Sequence, residues 1–233
     1  MSIVVKNVSK LYGQQKALNN ISFQVGKGEI VGFLGPNDAG KSTMMKIITG
    51  YIPPNSGTAA VCNFSILDQS FEVKTRVGYL PEKNPLYSDM YVREYLSFVA
   101  SIHKIKNVKA RVEEMINLVG LTNEAHKKIH QLSKGYKQRI GLAQSIIHNP
   151  EVLILDEPTS GLDPNQIREI RDVIVQIGKQ KTVLLSTHIM QEVEAMCSRV
   201  IIIRRGEIVA DAPIGELKSG GKKLEDVFAE LTT

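Results

Sequence analysis

Gly35-Pro36-Asn37-Asp38-Ala39-Gly40-Lys41-Ser42-Thr43 completes the pattern G-x-x-x-x-G-K-[ST]. It follows an apolar run, Ile30-Val31-Gly32-Phe33-Leu34, and leads into a helix-like run over 44–49. Strand, glycine loop and helix in that order are the context in which this pattern is a phosphate site. Loop N–H groups curl around the phosphates, and the positive end of the next helix points at them. Lys41 reaches the β- and γ-phosphates, and the Ser42 hydroxyl binds Mg²⁺.

Val152-Leu153-Ile154-Leu155-Asp156-Glu157-Pro158 adds the second half of such a site. A buried parallel strand delivers acids at its C-terminal end, where open α/β sheets place their ligands. Asp156 suits Mg²⁺, directly or through water. Glu157 faces the attacking water, as general base or as the group that orients it. Thr182-Val183-Leu184-Leu185-Ser186-Thr187-His188 repeats the arrangement of strand and polar tip, so His188 can contact the γ-phosphate. His103, His126, His130 and His148 follow no such strand and read as structural.

The elements that position these groups are an alternation of short apolar runs and helical patterns. Strand candidates lie at 3–5, 21–25, 30–34, 58–61, 76–80, 152–155, 182–186, 200–203 and 207–210. The later ones are continuous Val/Ile/Leu runs, the mark of parallel strands covered on both faces. Ile167, Ile170, Ile174 and Ile177 form one helical stripe. Val112, Met115, Ile116 and Val119 form a second, and Leu224, Val227, Phe228 and Leu231 a third. Residues 91–149 read as almost purely helical and end at His148-Asn149-Pro150. The expected organisation is one domain. Its core spans about 1–90 and 150–215, its helical insert about 91–149, and its last helix about 222–232. Ser219-Gly220-Gly221 reads as a flexible joint before that helix.

With 233 residues, 42% hydrophobic and 23% charged, the chain has the composition of a globular α/β protein. The net charge of +5 comes from scattered lysines, and only 6% of residues are aromatic. A nucleic-acid face needs clustered basic residues with aromatics among them, so none is expected. Two cysteines without C-x-x-C spacing fit a reduced compartment. The N-terminal residues lack the pattern of a signal peptide. The longest aliphatic runs, such as Val200-Ile201-Ile202-Ile203, fall far short of the roughly 20 residues that span a bilayer. A role at a membrane therefore requires a partner.

Taken together these residues resemble the ATP-binding subunit of an ABC transporter, over essentially the whole chain. The most specific segment is Leu132-Ser133-Lys134-Gly135-Tyr136-Lys137-Gln138-Arg139, similar to the family's signature Leu-Ser-Gly-Gly-Gln and a basic residue. Ser160-Gly161-Leu162-Asp163 matches the family's D-loop, and His188 falls on its switch histidine. Tyr12 falls on the aromatic that stacks against adenine. The resemblance implies a P-loop α/β core of mainly parallel sheet, an antiparallel β subdomain and an inserted helical subdomain. It implies Mg²⁺-dependent ATP hydrolysis coupled to transport. It also implies a head-to-tail pair, homodimeric or with a related chain, in which Ser133 and Gly135 complete the partner's site. Ser133 is then the cap of a helix through Ile140, Ala143 and Ile147 whose positive end faces the γ-phosphate.

Three positions depart from the family pattern. Asp38 stands where glycine is usual, and a carboxylate beside polyphosphate repels it. An outward Asp38 and modestly weakened nucleotide binding are expected. Lys134 replaces the first signature glycine, either adding positive charge near the phosphate or lying free on the surface. Glu82, after Val77-Gly78-Tyr79-Leu80-Pro81, stands where importers have glutamine and keeps an oxygen for Mg²⁺. Glu82 and the tail Leu224-Glu225-Asp226-Val227-Phe228 resemble ABC-2-type exporter subunits. Residues 80–87 and 90–96 resemble the subgroup tied to bacterial gliding motility. The expectation is a peripheral subunit on the cytoplasmic face of the cell membrane that energises a separate membrane-spanning permease. Lys83, Pro85 and Tyr87 are the candidate contacts. The alternative is a soluble ABC ATPase acting on nucleic acid or ribosomes. A GTPase or small kinase leaves the signature without a role, and a non-hydrolysing adaptor leaves Glu157 and His188 without one.

Overall fold

Polar and apolar residues alternate in the N-terminal third, which builds a sheet with one covered face. The computed structural model describes residues 1–232. Strands β1 (Ile3–Tyr12) and β2 (Gln15–Val25) form an antiparallel hairpin. The helix α1 (Lys41–Ile48) precedes β4 (Ser56–Val61) and β5 (Phe64–Ser65), which extend this sheet in the order β2-β1-β4-β5. Both hairpin strands run well past the 3–5 and 21–25 expected from their apolar residues. Asn7 and Asn20 adopt left-handed φ of 50° and 54°. The register shifts between Val5 and Val8 and again between Val8 and Lys10. These bulges break the alternation without ending the strands.

The second sheet holds β3 (Ile30–Leu34), β6 (Val77–Leu80), β7 (Val152–Asp156), β8 (Thr182–Thr187), β9 (Arg199–Arg204) and β10 (Glu207–Pro213). Its order is β10-β9-β3-β8-β7-β6. All neighbours pair in parallel except β10, which pairs antiparallel with β9. Every residue of β7 and β8 is buried, as the unbroken aliphatic runs require. Residue 76, expected in β6, instead ends the helix α2 (Ser70–Arg76). The chain leaves β3 between β8 and β9, and the loop 35–40 lies at that crossover, where such sheets bind ligands.

Helices α3 (Val92–Ile102), α4 (Val108–Leu118) and α5 (Lys134–Ile146) pack into one core with the buried side chains of β6, β7 and β8. Arg93 Nε donates to Glu113 Oε1 at 2.7 Å, joining α3 to α4. Arg111 donates to the carbonyls of Ile146 (2.8 Å) and Ile147 (2.7 Å), which satisfies orphan acceptors at the end of α5. The block is less helical than its sequence reads. Gly120, at φ 69°, follows the end of α4, and residues 121–133 run as turns with one 3₁₀ turn at Ile129–Gln131.

Helix α6 (Pro164–Gly178) buries Ile170, Ile174 and Ile177 of the stripe read in its sequence, and leaves Ile167, in its first turn, half-buried. Helices α7 (Met190–Met196), α8 (Ile214–Leu217) and α9 (Leu224–Thr232) close the C-terminal end, where Leu224 packs with Leu34, Val193, Val200 and Ile202. Ser219–Gly221, read as a flexible joint before the last helix, forms a 3₁₀ turn between α8 and α9.

Candidate functional site

The loop after β3 is shaped by backbone constraints. Gly40 caps α1 at φ 105°, and a Cβ there would lie 2.4 Å from the Ala17 carbonyl oxygen, so only glycine fits. Asp38 sits at φ 62° and is exposed, but it lines the cleft, contrary to the outward placement expected of it. That left-handed conformation explains why glycine suits the position, and aspartate is among the few residues that tolerate it. Ala39 is buried, and its carbonyl accepts from Gly206 N at 3.0 Å. Lys41 is buried at the start of α1, and its Nζ donates to the carbonyls of Gly35 (2.8 Å) and Pro36 (3.0 Å).

Two adjacent acids stand near this helix start, Glu157 beside Lys41 and Asp156 beside Ser42. Asp156 ends β7, 2% exposed, and its Oδ1 accepts from Ser42 Oγ (3.0 Å) and Ser186 Oγ (2.5 Å). Glu157 is 8% exposed and holds a left-handed φ of 50°, a strained conformation for a side-chain-bearing residue. Its backbone N donates to Ser186 O at 3.1 Å. Its Oε1 lies 3.3 Å from Lys41 Nζ, and its Oε2 is 2.9 Å from His188 Nδ1. The carboxylate is therefore clamped between a buried cation and a half-exposed imidazole. Burial pushes the Glu157 carboxyl above its ordinary value, and Lys41 and His188 pull it partly back.

Tyr12, Asn37, Asp38, Gly40, Lys41, Ser42, Thr43, Glu82, Glu157 and His188 line one cleft of about 540 Å³. Gly35, Pro36 and Ala39, of the same loop, are not among the residues that line it. Ser160, the first residue of the segment that resembles the D-loop, also lines it, as do Gln15 and Ala17, which no motif announces. An adjoining cleft of about 690 Å³ shares Ser42 and Glu82 and adds Asp156, Tyr79, Lys83, Pro85 and Gln144. Among the described residues no three His, Cys, Asp or Glu side chains form a ready-made metal site. One hydroxyl and two carboxylates at the junction of the clefts are the hard, sparse donor set of an ion that takes its remaining ligands from phosphate and water. Mg²⁺ fits that description.

Ser133, Gly135 and Asp163 lie outside both clefts. Ser133 caps α5, its Oγ accepting from Tyr136 N at 3.4 Å, and it is exposed to solvent. The helix ends at Ile146, with Ile147 as its C-cap. Asp163 caps α6 by accepting from Gln166 N at 3.0 Å, with Pro164 in the first turn. Lys134 is exposed but folds over its own chain. A Cβ on Gly161 would stand 2.2 Å from Lys134 Nζ.

Desolvation raises the Asp156 carboxyl above its ordinary 3.8, the hydroxyls of Ser186 and Ser42 lower it, and Glu82 raises it further. A carboxyl raised on folding contributes stability at pH below its unfolded value and loses it as pH rises through the folded value. Asp156→Asn keeps the acceptor for both hydroxyls and removes the charge. Its melting temperature in EDTA should exceed the parent's at pH 8, and the gain should shrink toward pH 4. A lower melting temperature at pH 8 would show that hydrogen bonding to the carboxylate outweighs its desolvation.

Known proteins resemble this chain in sequence and in fold. The family model described as ABC transporter matches residues 18–160. The bacitracin transport ATP-binding protein BcrA of Bacillus licheniformis is 37% identical over 227 residues, covering 96% of this chain and 74% of the relative. The linearmycin resistance ATP-binding protein LnrL of Bacillus subtilis is 38% identical, over 88% of this chain and 67% of its own length. A solved ATP-binding subunit of an ABC transporter superposes with a TM-score of 0.89 at 28% identity, covering 100% of both chains. The cassette MJ0796, solved as a dimer bound to ADP and Pi, gives 0.83 at 26% identity over 91% of this chain and 98% of that one. The chain belongs to the ABC transporter family, as an ATP-binding subunit that hydrolyses ATP.

Proposed function

We propose that this subunit works as one of a head-to-tail pair on the cytoplasmic face of the membrane and powers export through a separate permease. One observation carries the pairing. The cleft presents Lys41, Glu157 and His188, whereas Ser133 and Gly135, at the positive end of α5, stand outside it. Only a second subunit brings such a helix end to the phosphate.

Within the pair the loop N–H groups and Lys41 hold and neutralise the polyphosphate. Tyr12, exposed at the rim, offers a flat ring for adenine. Ser42, Asp156 and Glu82 would hold Mg²⁺, which when bound would supply positive charge against that of the phosphates. Glu157 orients the attacking water or takes its proton, and His188 fixes the carboxylate from the far side. Hydrolysis then weakens the nucleotide-mediated contact, and opening and closing of the pair drive the permease.

Among the described residues no helix is long and apolar enough to cross a membrane. Lys83 and Pro85 border the second cleft, and Tyr87, 58% exposed, stands edge-on to Tyr95 at 6.0 Å. These residues are the proposed permease contact. Export is supported by Glu82 and by relatives named for bacitracin transport and linearmycin resistance. The link to gliding motility rests on the short segments 80–87 and 90–96 alone. A soluble ATPase acting on nucleic acid or ribosomes is the competing reading, and stimulation of hydrolysis by nucleic acid would favour it.

The test is the solution mass of Glu157→Gln with and without ATP and Mg²⁺. Slowed hydrolysis should trap ATP between two subunits and double the mass. A chain that stays monomeric at saturating ATP would overturn the homodimeric form of the proposal.

A further inference from the structure

Glu192 on α7 is fully buried, yet it lines neither cleft. A carboxylate withdrawn from water needs a hydrogen-bond donor at each oxygen. Thr159 Oγ1 donates to Oε1, and Thr187 Oγ1 donates to Oε2 at 2.7 Å. The Thr187 oxygen in turn accepts from Ile189 N at 3.1 Å. Thr159 stands two residues after Glu157, and Thr187 immediately precedes His188. A single side chain therefore fastens together the two segments that carry the Glu157–His188 contact.

We infer that Glu192 is a positioning residue for ATP hydrolysis, setting the Glu157–His188 pair through Thr159 and Thr187. The inference rests on reading Glu157 and His188 as the groups that act on the water. An apolar side chain of similar volume would fill the same space but leave the Thr159 and Thr187 hydroxyls without their acceptor. Volume alone imposes no direction on two loops, whereas a carboxylate accepting from both does. Misplacement of reacting groups by about 1 Å can slow an enzyme about 10²-fold.

Hydrolysis and nucleotide binding should be measured for Glu192→Leu and Glu192→Gln, each in the parent and in a His188→Ala background. In the parent, Glu192→Leu should lower kcat roughly 10- to 100-fold, with KM and affinity for ATP held within about twofold. Glu192→Gln, which keeps the size and one acceptor, should restore part of the rate. In the His188→Ala background Glu192→Leu should cost less than about threefold further, because the pair it positions is already broken. Equal losses in both backgrounds, or losses that follow ATP affinity, would overturn the inference and leave Glu192 a packing residue. Thr159→Val and Thr187→Val, each removing one donor, provide the same readout if the leucine variant does not fold. A rate untouched by Glu157→Gln itself would overturn the reading of the site, and this inference with it.

Discussion

Glu157→Gln should slow ATP hydrolysis roughly 10²- to 10⁴-fold, the range a positioned acid or base supplies. At about 1.4 kcal/mol per factor of ten, that is roughly 3 to 6 kcal/mol of barrier. The substitution is isosteric. Its amide oxygen can still face Lys41 Nζ, which lies 3.3 Å from Oε1, so the phosphate loop keeps its shape. What disappears is the charge that draws a proton from water. The parent carboxyl is suited to accept that proton, because burial raises its proton affinity while Lys41 and His188 keep it from rising unchecked. Single-turnover release of phosphate measures the effect, and ATP binding should change little. A rate within tenfold of the parent would transfer the role to another group and leave Glu157 a structural partner of Lys41.

How far the sequence leads depends on whether a site is contiguous. Residues 35–43 and 156–157 each sit on one short segment whose strand or helix is visible in the same stretch, so their chemistry and their placement are read together. His188 is legible for the same reason, at the tip of an aliphatic strand. The Thr159–Glu192 contact joins residues 33 apart through the body of the fold, and no local pattern records it. Gln15 and Ala17 reach the cleft only because the β1–β2 hairpin continues past its bulges. Those bulges, at asparagines in left-handed conformation, also hide the true lengths of both strands. For Lys134 the sequence allows two surroundings, and the fold places it against Gly161 of its own chain. The signature and D-loop roles come from resemblance alone. Within one chain, Ser133 and Asp163 are helix caps, and their reach toward a nucleotide belongs to the pair.

That dual character makes Ser133 the sharpest test of pairing. Ser133→Phe should abolish the ATP-driven doubling of mass in the Glu157→Gln background. In the otherwise unaltered chain it should lower hydrolysis by on the order of 10² or more, the scale of losing one preorganised donor at the reacting phosphate. The folded monomer should survive, because the side chain is exposed and its 3.4 Å cap is a weak one. Losing a cap costs about 1 kcal/mol, and Ser133→Ala isolates that contribution. The alanine variant should melt slightly earlier and still pair to a measurable degree, while the phenylalanine adds bulk where a second subunit must approach. Both should bind ATP as monomers with near-parental affinity, since Ser133 lies outside the cleft that holds Lys41, Ser42 and Glu157. Doubling that persists in Ser133→Phe would remove the signature helix from the interface and refute the head-to-tail arrangement. Loss of pairing with ATP affinity retained would separate nucleotide capture, a property of one cleft, from hydrolysis, a property of two chains.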